Sequence, residues 1–198
     1  MKLSSVVGAV WLGAVALGWA GCAHAPETAE GTQRAPLAGL GQYYPLAVGN
    51  SWTYTVNGRT DRPVEVKILK QEDGFFQDSK GGQLMVDSFG VRDQKRYLLR
   101  APVEPGRTWT NVVSVSSTER YQILQAGIPC QVPAGSFEGC VLVEARNRVD
   151  TQTTLVNTFT FAPGVGLVRI QVEAEQDGRR IPQTRLELTS YQVKPGQG

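Results

Sequence analysis

Trp52-Thr53-Tyr54-Thr55-Val56-Asn57-Gly58 decides how this chain folds. Side chains alternate across an extended strand, so Trp52, Tyr54 and Val56 share one side, with Thr53 and Thr55 opposite. Asn57-Gly58 then supplies two residues that tolerate positive φ, which a type I′ hairpin turn requires. Beyond the turn, Val64, Val66 and Ile68 resume the period-two pattern. The stretch reads as an antiparallel hairpin with one apolar face.

The same signature recurs outward from this hairpin. Val141, Val143 and Ala145 oppose Glu144, Arg146 and Arg148, and Val168, Ile170 and Val172 oppose Arg169, Gln171 and Glu173. Turn residues punctuate the chain at Asp73-Gly74, Gly81-Gly82, Pro105-Gly106, Pro133-Ala134-Gly135, Pro163-Gly164 and Asp177-Gly178. No segment after the first forty residues keeps a helical apolar stripe for more than about two turns. Without crossover helices the sheet must be antiparallel and joined by hairpins. The expected fold is mainly β, with about nine or ten strands in a strongly curved sheet or partly open barrel; a β-sandwich is the alternative. It is expected as a single domain over 42–194, with 195–198 a disordered tail.

The N-terminus carries a different pattern. Met1 and Lys2 precede an apolar run from Val6 to Leu17, and Trp19-Ala20-Gly21-Cys22 follows. That run is shorter than the roughly 20 residues of a membrane-spanning helix. The order matches a lipoprotein signal peptide over 1–21, cut so that Cys22 becomes a lipidated N-terminus. Trp19 stands where an aliphatic residue is usual. A rival cut after Ala23-His24-Ala25 would place Pro26 beyond the scissile bond, where proline blocks cleavage. Residues 22–41 hold the lipidated Cys22 and a flexible tether, rich in Ala, Pro, Glu, Thr and Gly and free of aromatic residues until the domain begins. Random-coil scaling gives that tether a reach of roughly 24 Å. By bacterial sorting rules, Ala23 after the cysteine points to the outer membrane. The expected location is therefore the cell envelope, with the domain in the periplasm or at the cell surface.

Composition excludes several chemistries. The chain's one histidine, His24, lies in the tether, so the domain lacks the base of Ser-His-Asp or Cys-His catalysis and the commonest zinc ligand. A net charge of +2 with scattered basic residues argues against nucleic acid as a partner. Gly164-Val165-Gly166-Leu167 leads into a strand rather than a helix, so it is no phosphate cradle. Carboxylate pairs remain: Glu173 and Glu175 on one strand face, and Asp73 and Asp78 about a turn. Glycosidases use such pairs, but eighteen acids on β-strands produce them by chance. No catalytic, cofactor or metal residue is therefore assigned. Cys130 and Cys140, the cysteines left once Cys22 is lipidated, flank a turn and are expected to form a structural disulfide in an oxidising compartment.

Three stretches carry a family resemblance. They are Tyr44-Pro45-Leu46-Ala47-Val48-Gly49-Asn50-Ser51-Trp52-Thr53-Tyr54, Val132-Pro133-Ala134-Gly135-Ser136-Phe137 with Cys140, and Ala162-Pro163-Gly164-Val165-Gly166-Leu167-Val168. In order and spacing the set resembles a family of bacterial secreted and lipid-anchored β-proteins. The resemblance implies a β fold and no transferable activity. The expected function is a non-enzymatic envelope lipoprotein. Its membrane contact runs through the lipid on Cys22, and its β domain takes an apolar small ligand or an envelope protein on a face lined by Trp52, Tyr54, Phe75, Phe76, Phe89, Trp109, Phe159 and Phe161. The alternatives are a structural or accessory subunit of an envelope complex, or a carboxylate-dependent hydrolase.

Overall fold

Asn57-Gly58 turns the chain as the dipeptide dictates, with φ of 50° and 74°, and Asp73-Gly74 and Asp177-Gly178 do the same with φ near 50° and 75°. The computed structural model describes residues 39–194. A 3-10 helix, Leu40–Tyr43, leads into β1 (Ser51–Val56) and β2 (Arg59–Glu72). Four short strands follow: β3 (Phe75–Asp78), β4 (Gln83–Val86), β5 (Gly90–Arg92) and β6 (Tyr97–Arg100). The second half is built from longer strands: β7 (Thr108–Ser114), β8 (Ser117–Val132), β9 (Gly135–Arg148), β10 (Thr153–Ala162), β11 (Gly166–Gln176) and β12 (Arg179–Gln192).

All twelve strands form one antiparallel sheet in the order β6-β5-β4-β3-β2-β1-β12-β11-β10-β9-β8-β7. Every neighbour is consecutive in sequence except β1 and β12, which join the two ends of the domain. The sheet nearly closes into a barrel, with one unsealed seam between β6 and β7. The strands number twelve rather than nine or ten because β3 to β6 are three or four residues each. That is too short for alternation to stand out in sequence.

The register alternates apolar and polar rows. Ile123, Val143, Phe159, Ile170, Leu186 and Val56 lie side by side across six strands on the core face. The next row, Thr108, Gln122, Glu144, Thr158, Gln171 and Arg185, lies on the outer face. Trp52, Ile68, Leu99, Ile123, Val143, Phe161 and Leu188 are fully buried, and burying each large apolar side chain contributes about 1.5–3 kcal/mol.

The stretches Tyr44–Tyr54, Val132–Phe137 and Ala162–Val168 meet at one end of the barrel. The Trp52 indole donates to the Val165 carbonyl (2.6 Å) and the Tyr54 hydroxyl to the Leu167 carbonyl (2.8 Å). Gly164 N–H donates to Gln42 O (2.8 Å). Gly166 lies against the Trp52 ring at φ 111°, a backbone conformation that side-chain-bearing residues rarely adopt. Asn50, wholly buried, donates its amide to Pro45 O (2.7 Å) and accepts from Lys194 N–H (3.0 Å), so it ties the start of the domain to its end. The β8–β9 hairpin reaches the same end. Its tip bends at Gly127 and Gly139, both in the left-handed region, and Ala134 N–H donates to Leu188 O (2.9 Å). Phe137 meets Tyr191 edge-on (6.1 Å between ring centres). The structure joins Cys130 to Cys140 across this arm.

The seam is held by side chains instead of a ladder. The Asn111 amide, buried, accepts from Tyr97 N–H and donates to Tyr97 O, both at 3.1 Å, as a facing peptide group would. The Trp109 indole donates to the same carbonyl (2.8 Å). Beside them Arg96 pairs with the buried Glu119 (2.9 Å), which also accepts from the Tyr121 hydroxyl (3.0 Å).

Two outcomes follow for stability. Asn111→Ala leaves the Tyr97 N–H without its partner and is expected to destabilise the domain by about 1–3 kcal/mol in urea titrations, with faster hydrogen exchange in β6; an unchanged midpoint would contradict the seam's role. Replacing Cys130 and Cys140 together by alanine removes a loop closed over a sequence separation of 10 and should cost about 3 kcal/mol in the same assay.

Candidate functional site

Glu144 on β9 and Glu173 and Glu175 on β11 lie on the outer face, and arginines hold all three. Arg180 reaches Glu144 (2.8 Å), Glu175 (3.3 Å) and Glu173 (3.5 Å), while Arg146 pairs with Glu144 (3.4 Å) and with Glu175. Together they roof Val156, which is fully buried beneath them although it sits on the outer row with Arg146 and Glu173. The hydrogen bond from Arg146, more than any other contact, holds the Glu175 carboxyl below the usual carboxylate range. A general acid needs the opposite shift. Glu173 and Glu175 thus share a face as their spacing implies, but they neither converge in a cleft nor stand free in solvent.

Asp73 and Asp78 do not form a pair either. Asp73 occupies the left-handed first position of the β2–β3 turn. The Asp78 carboxylate accepts from Lys80 N–H (2.7 Å) and Gly82 N–H (2.9 Å), which closes the next turn. No group of three or more His, Cys, Asp or Glu side chains among the described residues is placed to hold a metal ion. Cys22 and His24 lie outside the described residues.

The aromatic residues expected to line a ligand face are divided by the pleat. Trp52, Tyr54, Trp109 and Phe161 are core. Phe159 stacks on Tyr121 (6.3 Å between ring centres) and Tyr121 on Trp109 (5.3 Å). Burial and the Glu119 charge push the Tyr121 hydroxyl far above its ordinary range, so it stays a neutral donor. Phe76 packs against the core, Phe89 is exposed, and Phe75 points outward.

Two grooves mark the outer surface. One, of about 350 Å³, runs beside the ion-pair network; Arg120, Gln122, Glu144 and Arg146 line it together with Trp109 and Tyr121 and the flanking threonines of β7. The other, of about 260 Å³, holds Phe75 among Glu72, Asp73, Gln77, Gln83 and Gln94. Sequence reading missed both. The available signal was Phe75-Phe76, two adjacent aromatics in one strand, of which only one can face the core.

No protein-family model matches the sequence, and curated proteins yield no match. Two solved structures align with it in part. A candidate lipoprotein from Parabacteroides distasonis aligns over 76% of this chain and 98% of its own at 10% identity, with a TM-score of 0.39. A candidate exported protein with a YmcC-like fold from Bacteroides fragilis aligns over 74% and 96% at 13% identity, with a TM-score of 0.42.

The ion-pair network has an expected pH signature. Glu175 is held below its ordinary value in the folded state, so its contribution to stability is present above the unfolded carboxylate range and is lost as pH falls through the folded one. Thermal melts of the wild type should therefore lose ground below about pH 4.5 relative to neutral pH. Glu175→Gln should shrink that difference. An identical pH profile in the variant would remove the network from the account.

Proposed function

We propose that this protein is a lipid-anchored envelope protein whose β domain binds through its outer surface and performs no catalysis. The Trp19-Ala20-Gly21-Cys22 stretch after a short apolar run supports anchoring at Cys22, and Ala23 supports the outer membrane. Each buried methylene of an acyl chain contributes about 0.8 kcal/mol, so several chains on one cysteine hold firmly. The histidine-free domain and the arginine-held Glu144, Glu173 and Glu175 support a non-catalytic role.

One observation carries the binding surface. The indoles of Trp52 and Trp109 and the hydroxyl of Tyr54 are bonded to backbone carbonyls within the fold. Those polar atoms are committed within the fold, whereas the outer grooves carry polar side chains without such commitments, Thr108, Arg120 and Gln122 in one and Gln77 in the other, and these support binding there.

Fractionation tests the anchor, and native mass spectrometry tests the surface. The wild-type chain is expected in the membrane fraction after high-salt washing, and Cys22→Ser in the soluble fraction; a serine variant that stays with membranes would refute lipid attachment. The soluble variant should show only its polypeptide mass in the spectrometer. A stoichiometric co-purified lipid would place binding in the core and overturn the outer-surface reading.

A further inference from the structure

Phe75 is an aromatic residue where the fold calls for a polar one. The β3–β4 register sets Phe76 beside Leu84, both packed against the core, and Gln77 beside Gln83 on the opposite face. Phe75, two residues before Gln77, shares that outer face. Next to it, the Arg92 guanidinium lies over the Phe75 ring (5.6 Å) and the Tyr97 ring (5.4 Å). Arg92 also donates to the carbonyls of Asp93 (3.1 Å) and Gln94 (3.4 Å), which fixes the loop that carries Gln94. The Gln94 amide donates to Gln83 Oε1. This leaves Gln94 Oε1 as an acceptor, Gln83 Nε2 as a donor and the Gln77 amide as both. The groove therefore has an aromatic wall held from behind and a set of pre-positioned amides.

We propose that this groove binds one uncharged pyranose unit of an envelope glycan. The proposal rests on the outer face being the binding surface and names its ligand class. A pyranose presents C–H groups on one face and hydroxyls around its rim. The Phe75 ring offers a flat apolar surface to the first. Glutamine amides answer the second, because each amide donates and accepts at once, as vicinal hydroxyls do. Size limits the ligand: about 260 Å³ is below the roughly 300–1,000 Å³ of sites for drug-sized molecules, so one ring fits and an extended chain must run out of the groove. Charge limits it further. Lys70 neutralises Glu72 (2.5 Å), and Arg92 is spent on the two rings and two carbonyls. Asp73 remains as a carboxylate in the lining, which accepts hydroxyl bonds and repels uronates or phosphates.

The test uses the mature lipidated chain in detergent micelles, probed on an array of neutral and acidic glycans and then by titration with the neutral trisaccharides chitotriose and maltotriose. The array carries lipopolysaccharide core, peptidoglycan and capsule fragments, whose separate signals identify the source. Expected is a neutral sugar bound with Kd of about 1 mM or tighter, and acidic counterparts at least about tenfold weaker. Phe75→Ala should weaken binding about tenfold or more, Phe75→Trp should keep it, and Gln83→Ala should weaken it several-fold while melting like the wild type. Should Phe75→Ala fail to fold, the surface variant Gln83→Ala carries the test alone. No neutral glycan bound below about 10 mM, tighter binding of acidic glycans, or binding unchanged in Gln83→Ala each overturns the proposal. Such a result beside intact Cys22-dependent membrane retention removes the ligand class and leaves the anchored, non-catalytic reading standing.

Discussion

The first strand has two partners, and the rest of the barrel depends on it. β1 pairs with β2 through the turn that follows it and with β12 at the far end of the chain. Its Trp52 and Tyr54 reach past the sheet to the carbonyls of Val165 and Leu167. A buried indole without an acceptor would cost about 1–3 kcal/mol, so the β10–β11 turn must present its carbonyls there. Gly164 and Gly166 let it do so, at φ of 74° and 111°. The stretches Tyr44–Tyr54, Val132–Phe137 and Ala162–Val168 are thus three parts of one joint.

Because the domain's ends are sealed to each other, the break falls in the middle of the chain. β6 and β7 are consecutive and yet share no ladder. The segment between them contains Pro102 and Pro105, and proline removes ladder donors. A bare edge would leave Tyr97 N–H and C=O exposed to pairing with other chains. Asn111 answers with a side-chain amide that has the same donor and acceptor as a peptide. The polar cluster of Arg96, Glu119 and Tyr121 then fills the space where a ladder would continue.

The large features of this fold are legible in sequence because each rests on local physics. Asn57-Gly58 and Asp177-Gly178 are hairpin turns by their own conformational tolerance, and Val141, Val143 and Ala145 declare a core face by spacing alone. The turn at Pro133-Ala134 likewise brings Cys130 near Cys140. What stayed hidden depends on register between distant strands. Arg180 and Glu144 are 36 residues apart and meet only because four strands curve together. Asn111 looks like an ordinary strand asparagine until Tyr97 is placed opposite it. Phe75 reads as core in any alternating pattern that does not know which of two neighbouring phenylalanines turns outward.

Joining the first strand to the last also orders events in time. Thr55 and Glu187 touch across 132 residues, so β1 cannot complete its pairing until almost the whole chain is present. Contacts of such separation make folding slow. As the chain is synthesised, a strand containing Trp52, Tyr54 and Val56 emerges early and waits with one side open. That interval, between the emergence of the first strand and the arrival of the last, is when such a chain is most open to aggregation.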